Sequence, residues 1–279
     1  MLRRLAKNPA RAALERFRAV DPASRADFVH VARTEPSSAW PVLKRWRVLG
    51  RHSTRLALLV VAMNSASAAT ASARAVPLGR SWQGRSITAL EVGNRSGTRV
   101  LVVGVVHGTE TGGLPIARAL ARLSPPDLDL WIVPDLNPDG VAGAVRQNAR
   151  GVDLNRNFPW RWRPMSGAYE SGARPLSERE AHIAHALILR LHPHVTIWFH
   201  QHLDMVWASG GERRIERVFA RISGLPYHAM PQLAGSAIAW QNNTLRGTTA
   251  FAAELPAGQP DALAVARYVR AVLAAARTP

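Results

Sequence analysis

Two histidines and two glutamates stand where strand-like runs of this chain give way to turns. His107 and Glu110 follow the apolar run 100–106, VLVVGVV, which only Gly104 interrupts. Such a run reads as a strand buried on both faces of a sheet. A second run, VTIWFH, ends at His200 with His202 two residues on, and a third, over 248–253, ends at Glu254 ahead of the breakers LPAG. Residues two apart on a strand face the same side, so spacing does not separate His200 from His202. Two imidazoles and one carboxylate make the ligand set of a catalytic zinc that keeps a position open for water, and a further glutamate is the usual general base. A bare His-x-x-Glu says little, since 10 histidines and 10 glutamates in 279 positions give about 0.4 chance matches. The weight lies in four such residues falling together at the ends of three runs.

The elements that must position them follow the same logic. In an open α/β sheet, ligands bind in the crevice beyond the carboxyl ends of the strands. After His107 come a turn with Gly112 and Gly113 and a helical pattern over 114–123; a strand over 128–134 then delivers Asp135 and the breakers NPDG at 137–140. Upstream, 78–93 reads as a turn-rich start and a strand at 87–92, with 94–98 as a hairpin connection to the central strand. The expected fold is therefore α/β, a single domain with a mixed, largely parallel central sheet and helices on both faces. The segment 146–158, RQNARGVDLNRNF, has three arginines and three asparagines. Composition alone makes it a solvated loop; beside the strand end at His107, its guanidiniums could instead bind a carboxylate or stabilise an oxyanion. Ser177 and Glu180 fit a capping box opening a helix to about Leu191, with His182 and His185 on it and off any metal. A helix over 261–276 closes the chain. Trp207 and Trp240 read equally as packing or as substrate platforms.

Composition narrows the function. The hydrophobic fraction of 47% in 279 residues suits one large core. The net charge of +17 is carried almost wholly by arginine, Lys7 and Lys44 being the only lysines. With no RNA-recognition motif, zinc-finger spacing or basic stripe with interleaved aromatics, nucleic acid is not the expected partner. The absence of cysteine excludes disulfides, thiolate catalysis and cysteine-ligated zinc.

Residues 1–73 read as an N-terminal extension, with helical apolar spacing over 1–20, a polar stretch over 21–41 and a signal-like segment over 44–73. That segment has a basic approach, KRWRVLGRHSTR, the apolar core LALLVVAM, and small-residue sites ending at Ala68 and Ala73. Eight apolar residues are too few to span a bilayer stably. Export to the cell envelope or medium is the expectation; the alternative is a buried element and an Ala/Ser linker in a cytoplasmic protein. Translation starting shortly before the apolar core would account for the long approach. The remaining catalytic domain, 74–279, keeps 23 of the 36 basic and 15 of the 19 acidic side chains, +8. That balance favours anionic polymers such as bacterial wall material.

In combination and in order, LGRSWQGRSI, HGTE, NPDG, GVDLNRNF, PLSERE, FHQ and ELPAG resemble the M14 family of zinc carboxypeptidases across 78–258. The resemblance implies one zinc ion held by His107, Glu110 and His200, with His202 a neighbour. It implies that Asn155 and Arg156 grip a substrate's terminal carboxylate, that Arg146, with Arg150 as its rival, is the oxyanion arginine, and that Asp153 orients the first zinc histidine. Glu254 becomes the general base and acid. Where digestive members of the family carry a substrate-capping tyrosine, before the stretch matched by Ala234, Gly235 and Ser236, this chain has MPQL at 230–233; Tyr227 is out of register. That departure and the short segment between zinc ligands resemble the compact bacterial branch that includes murein peptide amidases. The implied activity is hydrolysis of a peptide or amide bond next to a free carboxylate, as in the γ-D-glutamyl–diaminopimelate link of wall peptides, by a monomer. A general metallocarboxypeptidase is the alternative. An N-acyl amino-acid deacylase, of the succinylglutamate desuccinylase or aspartoacylase kind, is disfavoured by the intact GRSWQGR and ELPAG; a non-catalytic wall-binding relative is disfavoured by the complete set that includes Glu254.

Overall fold

A computed structural model describes residues 73–279. The helical stretch expected over 1–20 and the signal-like segment over 44–73 lie outside the described residues, apart from Ala73 itself. No helix among the described residues is long and apolar enough to cross a membrane.

The strands are β1 (Arg74–Arg80), β2 (Ser86–Gly93), β3 (Thr98–Val103), β4 (Leu128–Val133), β5 (Val195–Gln201), β6 (Met205–Ala208), β7 (Tyr227–Ala229) and β8 (Thr249–Leu255). They form one sheet in the order β1-β2-β4-β3-β5-β8-β6-β7. The central four, β4-β3-β5-β8, run parallel; β1, β2 and β6 join antiparallel to their neighbours, and β7 lies parallel to β6. The helices are α1 (Gly113–Leu120), α2 (Pro138–Gly143), α3 (Arg179–Leu191), α4 (Arg213–Ser223), α5 (Ala237–Thr244) and α6 (Ala262–Ala276).

Both faces are covered, which is why β4 is buried along its whole length and β3 over its last four residues. Alternate residues of a strand serve opposite layers. Val100, Val102, Ile197, Phe199 and Phe251 join α1, α4 and α6 in one core. On the other side Trp198 meets the edge of Phe158, which packs on Trp240 of α5. Trp240, 3% exposed, is a packing residue.

Three expectations are corrected. Residues 94–97 do not close a hairpin between β2 and β3, because β4 lies between them: Asn94 N–H donates to Leu128 O and Thr98 N–H to Asp127 O, so the connection wraps the start of β4. The turn-rich start contains an edge strand, β1, which its glycine, proline and mostly exposed side chains disguise. The capping box is not formed. Glu178 is the N-cap of α3 without a capping bond, and its carboxylate accepts instead from Trp82 Nε1 (2.9 Å) and Asn148 Nδ2 (2.9 Å); Glu180 is fully buried against Trp82 N–H and Asn148. Bonds from these two buried carboxylates to donors on the GRSWQGR turn and on Asn148 outweigh a helix cap.

A candidate metal centre

The site forms where β3, β5 and β8 end, side by side in the sheet. His200 and Glu254 are register partners on β5 and β8. His107 lies four residues beyond β3, held by the NPDG segment rather than by the sheet. Asn137, fully buried, donates to Val106 O (3.1 Å), Arg146 O (3.3 Å) and Gln147 O (3.2 Å), while its Oδ1 accepts from Gly140 N–H at the start of α2. One amide thereby knits the strand end ahead of His107 to the arginine segment. Gly108 completes the joint: a Cβ there would lie 2.0 Å from the carbonyl carbon of Gly140, so only glycine lets the two loops meet.

His107, Glu110 and His200 are all buried, and their ligand atoms lie within 4.8 Å of one another. His107 Nδ1 and His200 Nδ1 are each 2.9 Å from an oxygen of Glu110. Asp153 Oδ1 lies 2.9 Å from His107 Nε2 and accepts its N–H. That leaves Nδ1 as the lone-pair nitrogen, buried and without a hydrogen-bond partner, facing a carboxylate oxygen. Two electron-pair donors at that separation fit a cation between them, and the set of two imidazoles and a carboxylate is the one zinc takes in catalytic sites. His202 is exposed; burial separates the two histidines that spacing could not.

The charges are balanced to match. Burial works against ionising Glu110, but His107 and His200 outweigh it and hold its carboxyl well below the ordinary range. Asp153 is likewise held well below its usual value, burial being overcome by Arg146 and His107. For His107, burial pushes downward, yet Glu110 and Asp153 leave its pKa raised. Asp153 is thus an ionised carboxylate fixing the ring of His107. Asp153→Asn is expected to weaken divalent-metal binding about 10- to 100-fold, measured by competition with a chromophoric chelator, with His107 still in place.

The arginine segment is not a solvated loop. Asn148, Asn155 and Asn157 are at most 8% exposed and are hydrogen-bonded within the fold: Asn157, for example, donates to Ser171 O, Arg174 O and Ser177 Oγ. Arg146 reaches the centre, with Nη1 2.8 Å from Glu110 Oε1 and Nη2 3.0 Å from Asp153 Oδ2. Arg150 does not: its guanidinium stacks over Trp82 at 4.5 Å and lies 3.7 Å from Glu178. Arg156 is 6% exposed, donates to Asn155 O (2.7 Å) and, among the described residues, has no carboxylate within ion-pair distance. Burial lowers its pKa, with Asp153 acting the other way. Asn155 Oδ1 accepts from Ala237 N–H (3.0 Å) at the start of α5, which leaves its NH2 end to donate.

Glu254 faces the same space. Burial raises its pKa, His200 pulling down and Glu110 pushing up, with the N–H of Leu203 on the carboxylate; Oε2 is buried without a partner. Two neighbours escaped the sequence reading. Tyr169, on a 3₁₀ turn (Gly167–Tyr169), lies under both guanidiniums, 5.7 Å from Arg146 and 5.1 Å from Arg156; its Gly/Ser-rich surroundings read only as loop. Gln201 was visible in the FHQ motif, but nothing in the motif gave it a role.

Comparison with known proteins bears on the family and the fold. The zinc carboxypeptidase model of the M14 peptidases matches residues 61–195. Murein peptide amidase A of Escherichia coli K12 is 32% identical over 121 residues, 38% of this chain and 50% of that protein. Human carboxypeptidase Z is 29% identical over 164 residues, 47% of this chain and 24% of that protein. The chain therefore spans half or less of the length of these relatives in sequence. In three dimensions, the murein-tripeptide amidase of E. coli O157 superposes with a TM-score of 0.60 and 25% identity, covering 74% of this chain and 92% of that one. Carboxypeptidase A of Helicoverpa armigera (TM-score 0.62, 20% identity, 73% and 68% covered) shares the fold. By family model, relatives and ligand set together, the chain is similar to the M14 zinc carboxypeptidases, and among them it resembles the murein peptide amidases.

Proposed function

We propose that the protein is a zinc-dependent hydrolase that cuts a peptide or amide bond next to a free carboxylate, with wall-derived murein peptides as substrate. The observation that carries this is Arg156, a buried cation without a carboxylate partner among the described residues, beside a two-histidine, one-glutamate centre and a Glu254 oxygen that likewise has no partner among them. A buried charge calls for a counter-charge, and a substrate carboxylate supplies one in bidentate form.

When bound, zinc at His107, Glu110 and His200 supplies a Lewis acid that lowers the pKa of water and polarises a carbonyl. The chain does the rest. Arg156 and Asn155 seat the terminal carboxylate, and Arg146, pivoting on Asp153, reaches toward the developing oxyanion. Glu254 accepts the proton of the attacking water at Oε2 and returns it to the leaving amine, so the products are a carboxylate and an amine. Its upward shift from burial suits a group that must both take and give a proton near neutral pH.

The murein assignment draws on the amidase relatives and on MPQL in place of a capping tyrosine. Export through 44–73 would carry the enzyme to that substrate, and the excess of basic groups would favour an anionic wall. The zinc-loaded protein is to be incubated with a murein tripeptide, hippuryl amino acids and N-succinylglutamate. Release of diaminopimelate from the tripeptide is the expected result. Cleavage of hippuryl substrates alone makes it a general carboxypeptidase, cleavage of N-succinylglutamate alone a deacylase, and no turnover at full zinc content refutes the reading.

Tyr169 bears on carboxylate binding through Arg156. One cation–π contact is worth roughly 1 kcal/mol, so Tyr169→Leu is expected to raise KM for a free-carboxylate substrate about fivefold, with kcat within about twofold. Steady-state kinetics on the zinc-loaded enzyme reads both constants.

A further inference from the structure

We infer that Gln201 is a positioning residue that locks the loop bearing Glu110 to the loop leaving Glu254, and so fixes the base relative to the ligand set. The inference rests on the hydrolytic reading above. Gln201 ends β5 as the register partner of Leu255, next to the pair His200 and Glu254. Its Oε1 accepts from Gly112 N–H (2.8 Å), in the turn that follows Glu110. Its Nε2 donates to Pro256 O (2.9 Å) and Gly258 O (2.6 Å), in the turn that follows Glu254. Its backbone N–H donates to Glu110 Oε2 (3.2 Å). One residue thus touches both loops and a metal ligand.

The fit is specific to a carboxamide. Only an amide accepts at one end and donates twice at the other; glutamate loses both donors and methionine loses all three bonds. Gly112 is shaped to it: a Cβ there would lie 2.9 Å from three atoms of the Gln201 amide. A second bridge, Gln259 Nε2 to Thr111 Oγ1 (2.7 Å), joins the same two loops. Glu254 needs such support, because its Oε2 has no hydrogen-bond partner to aim it. The direction of that oxygen is set by the backbone of β8 and its exit, and small misplacements of a reacting group cost large factors in rate.

Gln201→Met preserves length and bulk. In the zinc-loaded enzyme it is expected to lower kcat about 10- to 30-fold with KM within about twofold. In a Glu254→Gln background it should cost no more than about twofold further, since a residue acting through the base has nothing left to position. Amide exchange at Gly112 should quicken at least about tenfold with or without zinc. Gly112→Ala, where φ is −61° and alanine is allowed, pushes on the amide from the other side and should reproduce the kinetic loss if Gln201→Met folds poorly. A zinc-replete Gln201→Met within about twofold of wild-type kcat, an equal loss in both backgrounds, or unchanged Gly112 exchange overturns the inference. Absence of turnover in the wild-type protein instead refutes the hydrolytic reading, and the exchange result still decides whether the lock exists.

Discussion

Glu254→Gln is expected to keep a full complement of metal and to lose about 10²- to 10⁴-fold in kcat, the range for a general base, or roughly 3 to 5 kcal/mol of barrier. The substitution is nearly isosteric, and the amide oxygen can still accept from the N–H of Leu203. Removed is the ability of the buried, unpartnered Oε2 to take a proton. Glu254 is outside the set of His107, Glu110 and His200 whose donor atoms converge, so elemental analysis should find the metal unchanged. Wild-type turnover in a metal-replete variant would exclude the role, and loss of metal would move Glu254 into the ligand set.

What the sequence made legible divides by the kind of interaction involved. Runs that end in a functional residue announce themselves, because a strand buried on both faces must be apolar to its last residue and the first polar group after it stands out. His107, His200 and Glu254 stand out that way, as do β4, β5 and β8, while α6 shows instead as a helical run after the last breakers. Elements defined by long-range polar satisfaction were hidden. Asn148, Asn155 and Asn157 look like solvent-facing residues in composition, and only the fold shows the carboxylates, the backbone N–H and the carbonyls that they meet. The same cause misled the capping box: Glu178 had a better offer from Trp82 and Asn148, nearly 100 and 30 residues distant in the chain. The hairpin error arose because pairing order is a property of the crossover, and β4 entered between β2 and β3 without any local trace. Arg146 and Arg150 were indistinguishable as residue types; the ring of Trp82 that removes Arg150 from the site comes from another part of the chain.

Arg156→Met separates function from stability at a single position, and its expected effects on the two are opposite. Among the described residues, a buried guanidinium that donates to a backbone carbonyl and lies against Tyr169 without a carboxylate in ion-pair contact is costly to hold, and its downward-shifted pKa reflects that burial. An unbranched, apolar side chain of similar length relieves the cost, so the thermal midpoint of Arg156→Met should be equal to or higher than that of the wild type. Activity should move the other way. Losing one partner of a desolvated ion pair costs about 2 to 5 kcal/mol, so kcat/KM for a free-carboxylate substrate is expected to fall about 10²- to 10³-fold. The loss should be selective: the wild type should discriminate against the same substrate with its terminal carboxylate amidated, and in Arg156→Met the two substrates should come within about threefold of each other. Steady-state kinetics on the substrate pair, with a thermal melt, reads both effects. A destabilised variant that still discriminates between carboxylate and amide would make Arg156 a structural residue and leave the substrate's charge to be met elsewhere.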